Sequence, residues 1–193
     1  SPWPGTPTWS RPATRTWPGC SRDGRSSGPP GRCSLDPNVR PAVLADPAAA
    51  RARLLALARH AHLVKASDED LAWLFPGWSV QRAARALRDL GVRLVVVTRG
   101  AAGAYALTPT GAVHHPARRV TVVDTVGAGD AFTAGLLDAL VEVGAATPAT
   151  VGALDEARLG AVLDRATLVA AITCTRSGAD PPRRTELGDL VDA

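Results

Sequence analysis

From Cys33 onward, short apolar runs alternate with segments of helical periodicity. Residues 93–98, Arg-Leu-Val-Val-Val-Thr, contain a continuous apolar run rich in valine, which is typical of a strand buried on both faces. Helices are predicted on either side of it, over residues 79–91 and 155–175. Strands that alternate with helices predict an α/β fold, a doubly wound and mostly parallel sheet with helices on both faces.

The other predicted elements follow the same alternation. Strands are expected over residues 33–35, 62–65 and 120–123, helical segments over residues 46–60 and 68–75, and a hairpin over residues 103–116. In such sheets ligands bind beyond the carboxyl ends of the strands. Because each unusual motif of this chain follows a predicted strand, the motifs are expected to share one site.

Residues 124–137 contain the most distinctive pattern. Asp-Thr-Val-Gly-Ala-Gly-Asp stands between the apolar run 120–123 and a helix whose apolar spacing continues to Gly144. The first N–H groups of a helix have no intrahelical partner, and glycine lets an anion approach the backbone closely. Asp130 would repel a phosphate that is merely bound, so its position predicts a chemical role. It can accept a proton from a hydroxyl that attacks the phosphate.

This stretch resembles the signature of the ribokinase-type carbohydrate kinases, the phosphofructokinase B family. The resemblance runs from about Cys33 to about Pro182, and fructokinase-like sugar kinases are the nearest in pattern. It implies that Asp130 is the general base and that Gly127, Ala128 and Gly129 form the anion hole. It also implies a ribokinase-like fold of which only the C-terminal, nucleotide-binding half is present, without the sugar-binding half and lid.

Three further segments gain a role from the resemblance. The implied nucleotide contacts are Thr98, Gly100 and Gly103 in one turn, Asn38 and Arg40 in a D-x-N-x-R element, and Ala171 and Thr175 beside the adenine. Each segment has an ordinary alternative: a strand-to-hairpin turn, an Asp-Pro-Asn turn and an amphipathic helix that packs on the sheet.

The implied cofactors are ATP, Mg²⁺ and K⁺. Ser67-Asp68-Glu69-Asp70 takes the place of the family's N-x-x-E element, which associates Asp70 with magnesium, but Ser67 and Asp70 can equally form a capping box. By the same resemblance, Asp124 and Val126 would hold a monovalent cation. The alternative for Asp124 is a turn-forming residue at the start of the next helix.

The expected function is ATP-dependent phosphoryl transfer to a hydroxyl of fructose or another small sugar, with a homodimer expected for the intact enzyme. A catalytically inactive nucleotide-binding or interaction remnant is the alternative, and residues 1–193 alone are expected to show little activity. A nicotinamide-dependent dehydrogenase is a third reading, in which Gly127 and Gly129 begin a G-x-G-x-x-G motif. Phe132 then occupies the third glycine position.

Residues 1–32 differ in composition from the rest of the chain. They contain seven prolines, five glycines and three tryptophans but no Val, Ile, Leu or Phe, so they are expected to be a disordered or non-native extension. Residues 33–193 are then a partial nucleotide-binding domain. The net charge of +4 lies wholly in this extension, which argues against a nucleic-acid site.

Cellular location is inferred from cysteines and hydropathy. The three cysteines lack paired spacing, and no apolar run is long enough to span a membrane, so a cytoplasmic protein without a membrane partner is expected. Methionine is absent even at position 1, so the sequence does not start like a complete gene product.

Overall fold

A computed structural model describes residues 33–188, so the expectation for residues 1–32 lies outside the described part. The strands are β1 Ser34–Leu35, β2 Leu63–Ser67, β3 Leu94–Thr98, β4 Ala104–Leu107 and β5 Ala112–His115. The helices are α1 Pro47–Ala58, α2 Asp68–Leu74, α3 Val80–Asp89, α4 Ala128–Glu142, α5 Pro148–Gly152, α6 Glu156–Cys174 and α7 Arg184–Gly188. Among these helices, none has both the length and the apolar character needed to cross a membrane.

The five strands form one sheet in the order β1-β2-β3-β4-β5. Strands β1, β2 and β3 are mutually parallel, and β4 and β5 form the predicted antiparallel hairpin. Because β5 runs antiparallel to β4, it points the same way as the first three strands. Four of the five strands therefore share one direction, as expected for a mostly parallel sheet.

Alternate residues of the strands face two separate cores. Val95 and Val97 of β3 pack with residues of α1, α2 and α3, whereas Leu94 and Val96 pack with residues of α4 and α6. All four side chains are fully buried. The predicted arrangement, helices on both faces of the sheet, is thus confirmed, and the run 94–97 is apolar without alternation because both of its faces are covered.

Predicted helix starts are confirmed by their caps. The side-chain oxygen of each capping residue accepts a hydrogen bond from an N–H three residues later: Asp46 from Ala49, Ser67 from Asp70, Ser79 from Arg82 and Asp155 from Arg158. Each such cap stabilises its helix by about 1 kcal/mol. These local interactions place the ends of α1, α2, α3 and α6 independently of the core.

Helices α4 and α6 pack closely because of a small residue. A Cβ atom on Gly135 would lie 3.0 Å from Cβ of Val169 and 3.1 Å from Cα of Ala166. Such distances are tighter than most real Cβ contacts, so a larger side chain would require α4 and α6 to move apart slightly. Gly135 therefore contributes to the position of α4, whose N-terminus carries the central motif.

The prediction of a strand over residues 120–123 is wrong. These residues adopt no regular secondary structure, and Val120, Val122 and Val123 are 40%, 57% and 62% exposed. The chain leaves the sheet after β5, and no strand within residues 33–188 lies beside this segment to pair with it. β-Branched residues favour a strand only where a neighbouring strand and a packed face are present.

Candidate active site

The N-terminus of α4 presents unpaired backbone donors. Gly127 is the N-cap residue, and its carbonyl oxygen accepts a hydrogen bond from Ala131 N–H at 2.8 Å. The N–H of Ala128, which the resemblance places in the anion hole, instead donates to the Thr125 carbonyl oxygen at 3.2 Å. The N–H groups of Gly129 and Asp130 donate to no backbone oxygen within residues 33–188. Because the positive end of the helix dipole lies at the same place, these two donors are suited to an anion.

The two glycines at this helix start differ in what a side chain would meet. Gly127 has φ +77°, and a Cβ there would lie 2.7 Å from Cβ of Ala179, so both conformation and space exclude a side chain. Gly129 has an ordinary helical conformation, and a Cβ there would meet only Nζ of Lys65, at 3.3 Å. Gly127 therefore shapes the turn, whereas Gly129 leaves space beside a lysine.

Asp130 is the third residue of α4, and its side chain is exposed. A carboxylate at this position stabilises the helix start through the dipole. Since the side chain is open to solvent, it is also accessible to a substrate hydroxyl. The potential base therefore belongs to the same residue as one of these two N–H donors and is next in the chain to the other, Gly129.

Lys65 is a polar residue of this region that the sequence interpretation missed. It lies on β2 between Val64 and Ala66, is only 7% exposed, and its Nζ donates to Oδ2 of Asp36 at 2.9 Å. It is also the only lysine in the chain. A lone lysine inside an apolar strand was the available signal, but the pairing with Asp36, 29 residues away, is visible only in the fold.

The D-x-N-x-R element is held by Asp70. Val39 N–H donates to Oδ1 of Asp70 at 2.7 Å, while Ser67 N–H donates to Oδ2 at 2.9 Å. Asn38 directly precedes the anchored Val39. It has φ +40°, a left-handed conformation that asparagine tolerates better than most residues. Asn38 and the Arg40 side chain are both exposed. The element is therefore fixed in the backbone, with its two predicted ligand-binding side chains at the surface.

These contacts also bear on the magnesium interpretation of Asp70. Its carboxylate completes the capping box of α2 and is 6% exposed, with a backbone donor on each oxygen. Within residues 33–188, no three His, Cys, Asp or Glu side chains lie together as metal ligands. Of the two interpretations of Asp70, the geometry favours the capping role.

Asp124 anchors the turn that leads into α4. Its Oδ1 accepts a hydrogen bond from Val126 N–H at 3.0 Å, and its Oδ2 accepts one from Gly178 N–H at 2.9 Å. These two backbone donors hold the pKa of Asp124 below its ordinary value. The carboxylate therefore joins the turn before α4 to the segment after α6 and stays ionised at neutral pH.

The end of α6 adds a second connection to this turn. The carbonyl oxygen of Cys174 accepts hydrogen bonds from Val123 N–H at 2.8 Å and Asp124 N–H at 3.2 Å. Burial, and then the nearby Asp124 charge, raise the pKa of the Cys174 thiol. Thr175 next to it is exposed at the C-cap, and Ala171 is buried one turn earlier. The residues predicted to line the adenine pocket are thus connected through Cys174 to the central motif.

The turn after β3 is closed by its own backbone. Arg99 N–H donates to the Gly103 carbonyl at 2.8 Å, and Gly103 N–H donates to the Gly100 carbonyl at 3.0 Å. A Cβ on Gly103 would lie 2.0 Å from the His115 carbonyl oxygen, and its φ is +83°. Gly103 is therefore required by the approach of the chain beyond β5. Thr98 pairs with Ser67 in the sheet, so this turn lies at the same sheet edge as the capping box.

Comparison with known proteins identifies this arrangement of elements. Residues 27–186 match the sequence profile of the pfkB family carbohydrate kinases. The chain belongs to this family. The predicted resemblance and the ribokinase-like fold are thereby confirmed.

Relatives within the pfkB family are sugar kinases and a riboside kinase. A fructokinase of Rhizobium leguminosarum bv. trifolii is 40% identical over 152 residues, which are 79% of this chain and 42% of that enzyme. The crystal structure of a Vibrio cholerae O395 fructokinase in its fructose-, ADP- and calcium-bound form has a TM-score of 0.67 at 32% identity, covering 81% of this chain and 49% of that one. An aminoimidazole riboside kinase of Salmonella enterica, complexed with aminoimidazole riboside and an ATP analog, has a TM-score of 0.68 at 30% identity, covering 84% and 53%. The chain therefore spans about half the length of these relatives.

Proposed function

We propose that residues 33–188 form the nucleotide-binding part of an ATP-dependent kinase that phosphorylates a hydroxyl of fructose or a related small sugar. The observation that carries the proposal is the start of α4, where Gly129 and Asp130 N–H groups lack backbone acceptors in the described residues. Membership in the pfkB family supports this assignment, and the fructokinase relatives support the sugar class.

In this proposal, Asp130 accepts the proton of the sugar hydroxyl while the hydroxyl oxygen bonds to the γ-phosphorus of ATP. The bond from that phosphorus to the β-phosphate oxygen breaks, so that ADP and a sugar phosphate result. The N–H groups of Gly129 and Asp130 stabilise the negative charge on the transferring phosphoryl group. The Thr98 hydroxyl and the N–H of Gly100, which has no backbone acceptor within residues 33–188, contact the nucleotide phosphates, whereas Gly103 shapes this turn because its own N–H donates to the Gly100 carbonyl. Asn38 and Arg40 lie toward the substrates, and Ala171 and Thr175 lie beside the adenine.

Magnesium would neutralise the phosphates, but the described residues do not form a direct cage for it. Asp70 uses both oxygens for backbone N–H groups, so we assign magnesium to the phosphates and water rather than to this carboxylate. For the monovalent cation, Asp124 and Val126 remain our proposed neighbours. This assignment rests on the family resemblance, because both oxygens of Asp124 already accept backbone N–H groups, as those of Asp70 do.

The proposal is tested by titrating the ¹⁵N-glycine-labelled chain with ADP and magnesium. The amide signals of Gly127 and Gly129 should shift with one common dissociation constant. Gly152 and Gly160, on α5 and α6, serve as matched controls and should stay unchanged. Binding that leaves Gly127 and Gly129 unchanged would contradict the placement of the phosphates. Binding at these glycines, without sugar phosphorylation by a form extended upstream to include a sugar-binding half, would favour the inactive nucleotide-binding alternative.

A further inference from the structure

Lys65 has an environment that its structural contacts alone do not explain. It is 7% exposed on β2, on the sheet face that packs against α4 and α6, because Leu63 two residues earlier belongs to that core. All 21 other basic Lys or Arg residues of the chain are arginines. An ammonium group is a compact charge with three donors, whereas a guanidinium is a broad planar fork. Of the two strongly basic side chains, this position therefore holds the more compact one.

The ion pair with Asp36 is a poor explanation in terms of stability. Burial of the Lys65 ammonium group costs several kcal/mol, and the Asp36 side chain, which is 26% exposed, offsets this cost only in part. The pair is also incomplete. Nζ of Lys65 has Asp36 Oδ2 as its one hydrogen-bond partner within residues 33–188, and the buried Oδ1 of Asp36 has none. Buried polar atoms without partners are rare enough to need a cause.

The position of the ammonium group relative to α4 suggests that cause. Nζ lies 3.3 Å from the point where a Cβ of Gly129 would be, beside the helix start at which the Gly129 and Asp130 N–H groups have no backbone acceptor within residues 33–188. Two positive features, an ammonium and the positive end of a helix dipole, repel each other unless an anion lies between or beside them. Asp36 offsets only one unit of charge, and its orphaned oxygen shows that it is not enclosed by donors.

We propose that Lys65 contacts the phosphoryl oxygens of the nucleotide bound at the start of α4, with Asp36 holding its ammonium group in position. The inference rests on the function proposed above and adds a phosphate-contacting side chain to backbone donors. A cation that contacts the transferring phosphoryl group stabilises the charge that develops during transfer. Asp36 acts through Lys65 and is a positioning residue.

The chain provides a direct probe, because its single lysine gives a single side-chain signal when labelled with [¹³Cε]lysine. The labelled chain, also carrying ¹⁵N-glycine, is titrated with ADP, with inorganic pyrophosphate and with adenosine. We expect Lys65 and Gly129 to shift together with ADP and with pyrophosphate, and Lys65 to be unchanged by adenosine. Lys65→Met should weaken ADP binding about ten- to hundredfold, the range for a hydrogen bond to a charged group, and leave adenosine binding unchanged.

Two variants keep the test valid if the single substitution harms folding. Lys65→Met combined with Asp36→Asn leaves no unpaired buried charge, and it should show the same selective loss of ADP affinity. Arg165→Met removes a partly buried cation from Asp138 and Glu142 on α4 and should bind ADP normally.

The outcomes separate the lysine from the nucleotide site. Shifts at Gly129 without a shift at Lys65 would overturn the role of Lys65 and leave the proposed function standing. Equal losses of ADP and adenosine affinity in the variants would also overturn it, because they indicate a purely structural residue. Absence of any shift at Gly129 with saturating ADP would overturn both proposals.

Discussion

Two glycine-containing turns follow apolar segments of this chain, and both are predicted from the sequence to contact phosphate. At the start of α4, Gly129 has an ordinary helical conformation and its N–H has no backbone acceptor in the described residues. In the turn after β3, the N–H groups of Arg99 and Gly103 are both bonded within the turn. The turn after β3 thus uses the N–H of its second glycine to hold itself together, and its Gly100 and Ala101 N–H groups are the ones without a backbone acceptor within residues 33–188.

The reason for glycine differs in the same way. At Gly103 a side chain would collide with backbone atoms of His115 and Ala117, so the residue is fixed by the fold. At Gly129 a side chain would meet only Nζ of Lys65, at the end of a long side chain. A glycine-rich turn after a strand therefore does not by itself indicate a phosphate site. The hydrogen bonds already made by its N–H groups distinguish the two cases.

The largest effect should come from Asp130, in the turn before and at the start of α4 (residues 124–130), called the open turn below. In protein that phosphorylates a sugar, Asp130→Asn should reduce turnover by about a hundred- to ten-thousandfold, the usual contribution of a general base. The affinity for ATP should stay nearly unchanged, since an exposed carboxylate beside an anion site does not favour phosphate binding. Steady-state kinetics and nucleotide titration measure the two quantities separately.

A matched control for this substitution lies on the same helix. Asp138 of α4 pairs with Arg165 and Arg184, away from the helix start. Asp138→Asn should therefore leave turnover close to that of the unmodified protein. If Asp130→Asn retained normal turnover, the base would have to be another residue, and the open turn would be a binding feature only.

The second effect concerns the turn after β3 (residues 99–103), called the closed turn below. Gly103→Ala places a Cβ 2.0 Å from the His115 carbonyl oxygen in a conformation that disfavours side chains, so we expect the free energy of unfolding to fall by about 3 kcal/mol or more. Gly100→Ala is the control, because Gly100 also has positive φ, +50°, but open space around its Cβ position. It should cost about 1 kcal/mol. Urea unfolding of both variants measures the difference, and equal losses would show that the close contact is relieved at little cost.

The sequence was sufficient for features that depend on near neighbours. Asp46, Ser67 and Ser79 were predicted as caps because their partners lie three residues away, and the β4–β5 hairpin was predicted from its own turn. The buried strand β3 followed from residues 94–97 alone. Such local signals were enough to predict the alternation of elements and hence the fold class.

What the sequence missed depends on partners far along the chain. Val120 to Val123 have high strand propensity, but no strand of the described residues pairs with them, and propensity cannot supply a partner. Lys65 was assigned to a strand without a role, because Asp36 and Gly129 become its neighbours only after the sheet and α4 have assembled. For Asp70 the sequence left capping and metal binding equally open, and only the hydrogen bond from Val39 favours one.

A third prediction tests the open turn for stability and binding together. Gly129→Ala should leave the free energy of unfolding within about 1 kcal/mol of the original, because alanine suits a helix better than glycine and only Lys65 must move. The new Cβ displaces the ammonium group, so ADP affinity should fall about tenfold, or about 1.4 kcal/mol. Gly160→Ala on α6, where a Cβ has open space, is the matched control and should bind ADP normally. Unfolding of Gly129→Ala at much lower urea would show that this glycine, like Gly103, is required by the fold.

The smallest effect should be the response of the two turns to pH. Asp124 holds the turn before α4 through backbone N–H groups of Val126 and Gly178, and its folded-state pKa lies below the ordinary value. Its contribution to stability is therefore fully present above the unfolded-state pKa of about 3.9 and is lost as the pH falls through the lower folded-state pKa. The closed turn is held by Arg99 and Gly103 backbone groups, which do not titrate.

Urea unfolding of the unmodified chain and of Asp124→Ala at pH 7, 5, 4 and 3 tests this difference. The variant should be less stable at pH 7 and pH 5, and the gap should narrow below pH 4 as the carboxylate of the unmodified chain takes up a proton. The loss caused by Gly103→Ala should be the same at pH 7 and pH 5, because no titrating group holds that turn. A gap for Asp124→Ala that stays constant down to pH 3 would mean that the protonated side chain holds the turn equally well. The open turn would then owe its shape to Gly127 and the Cys174 carbonyl rather than to charge.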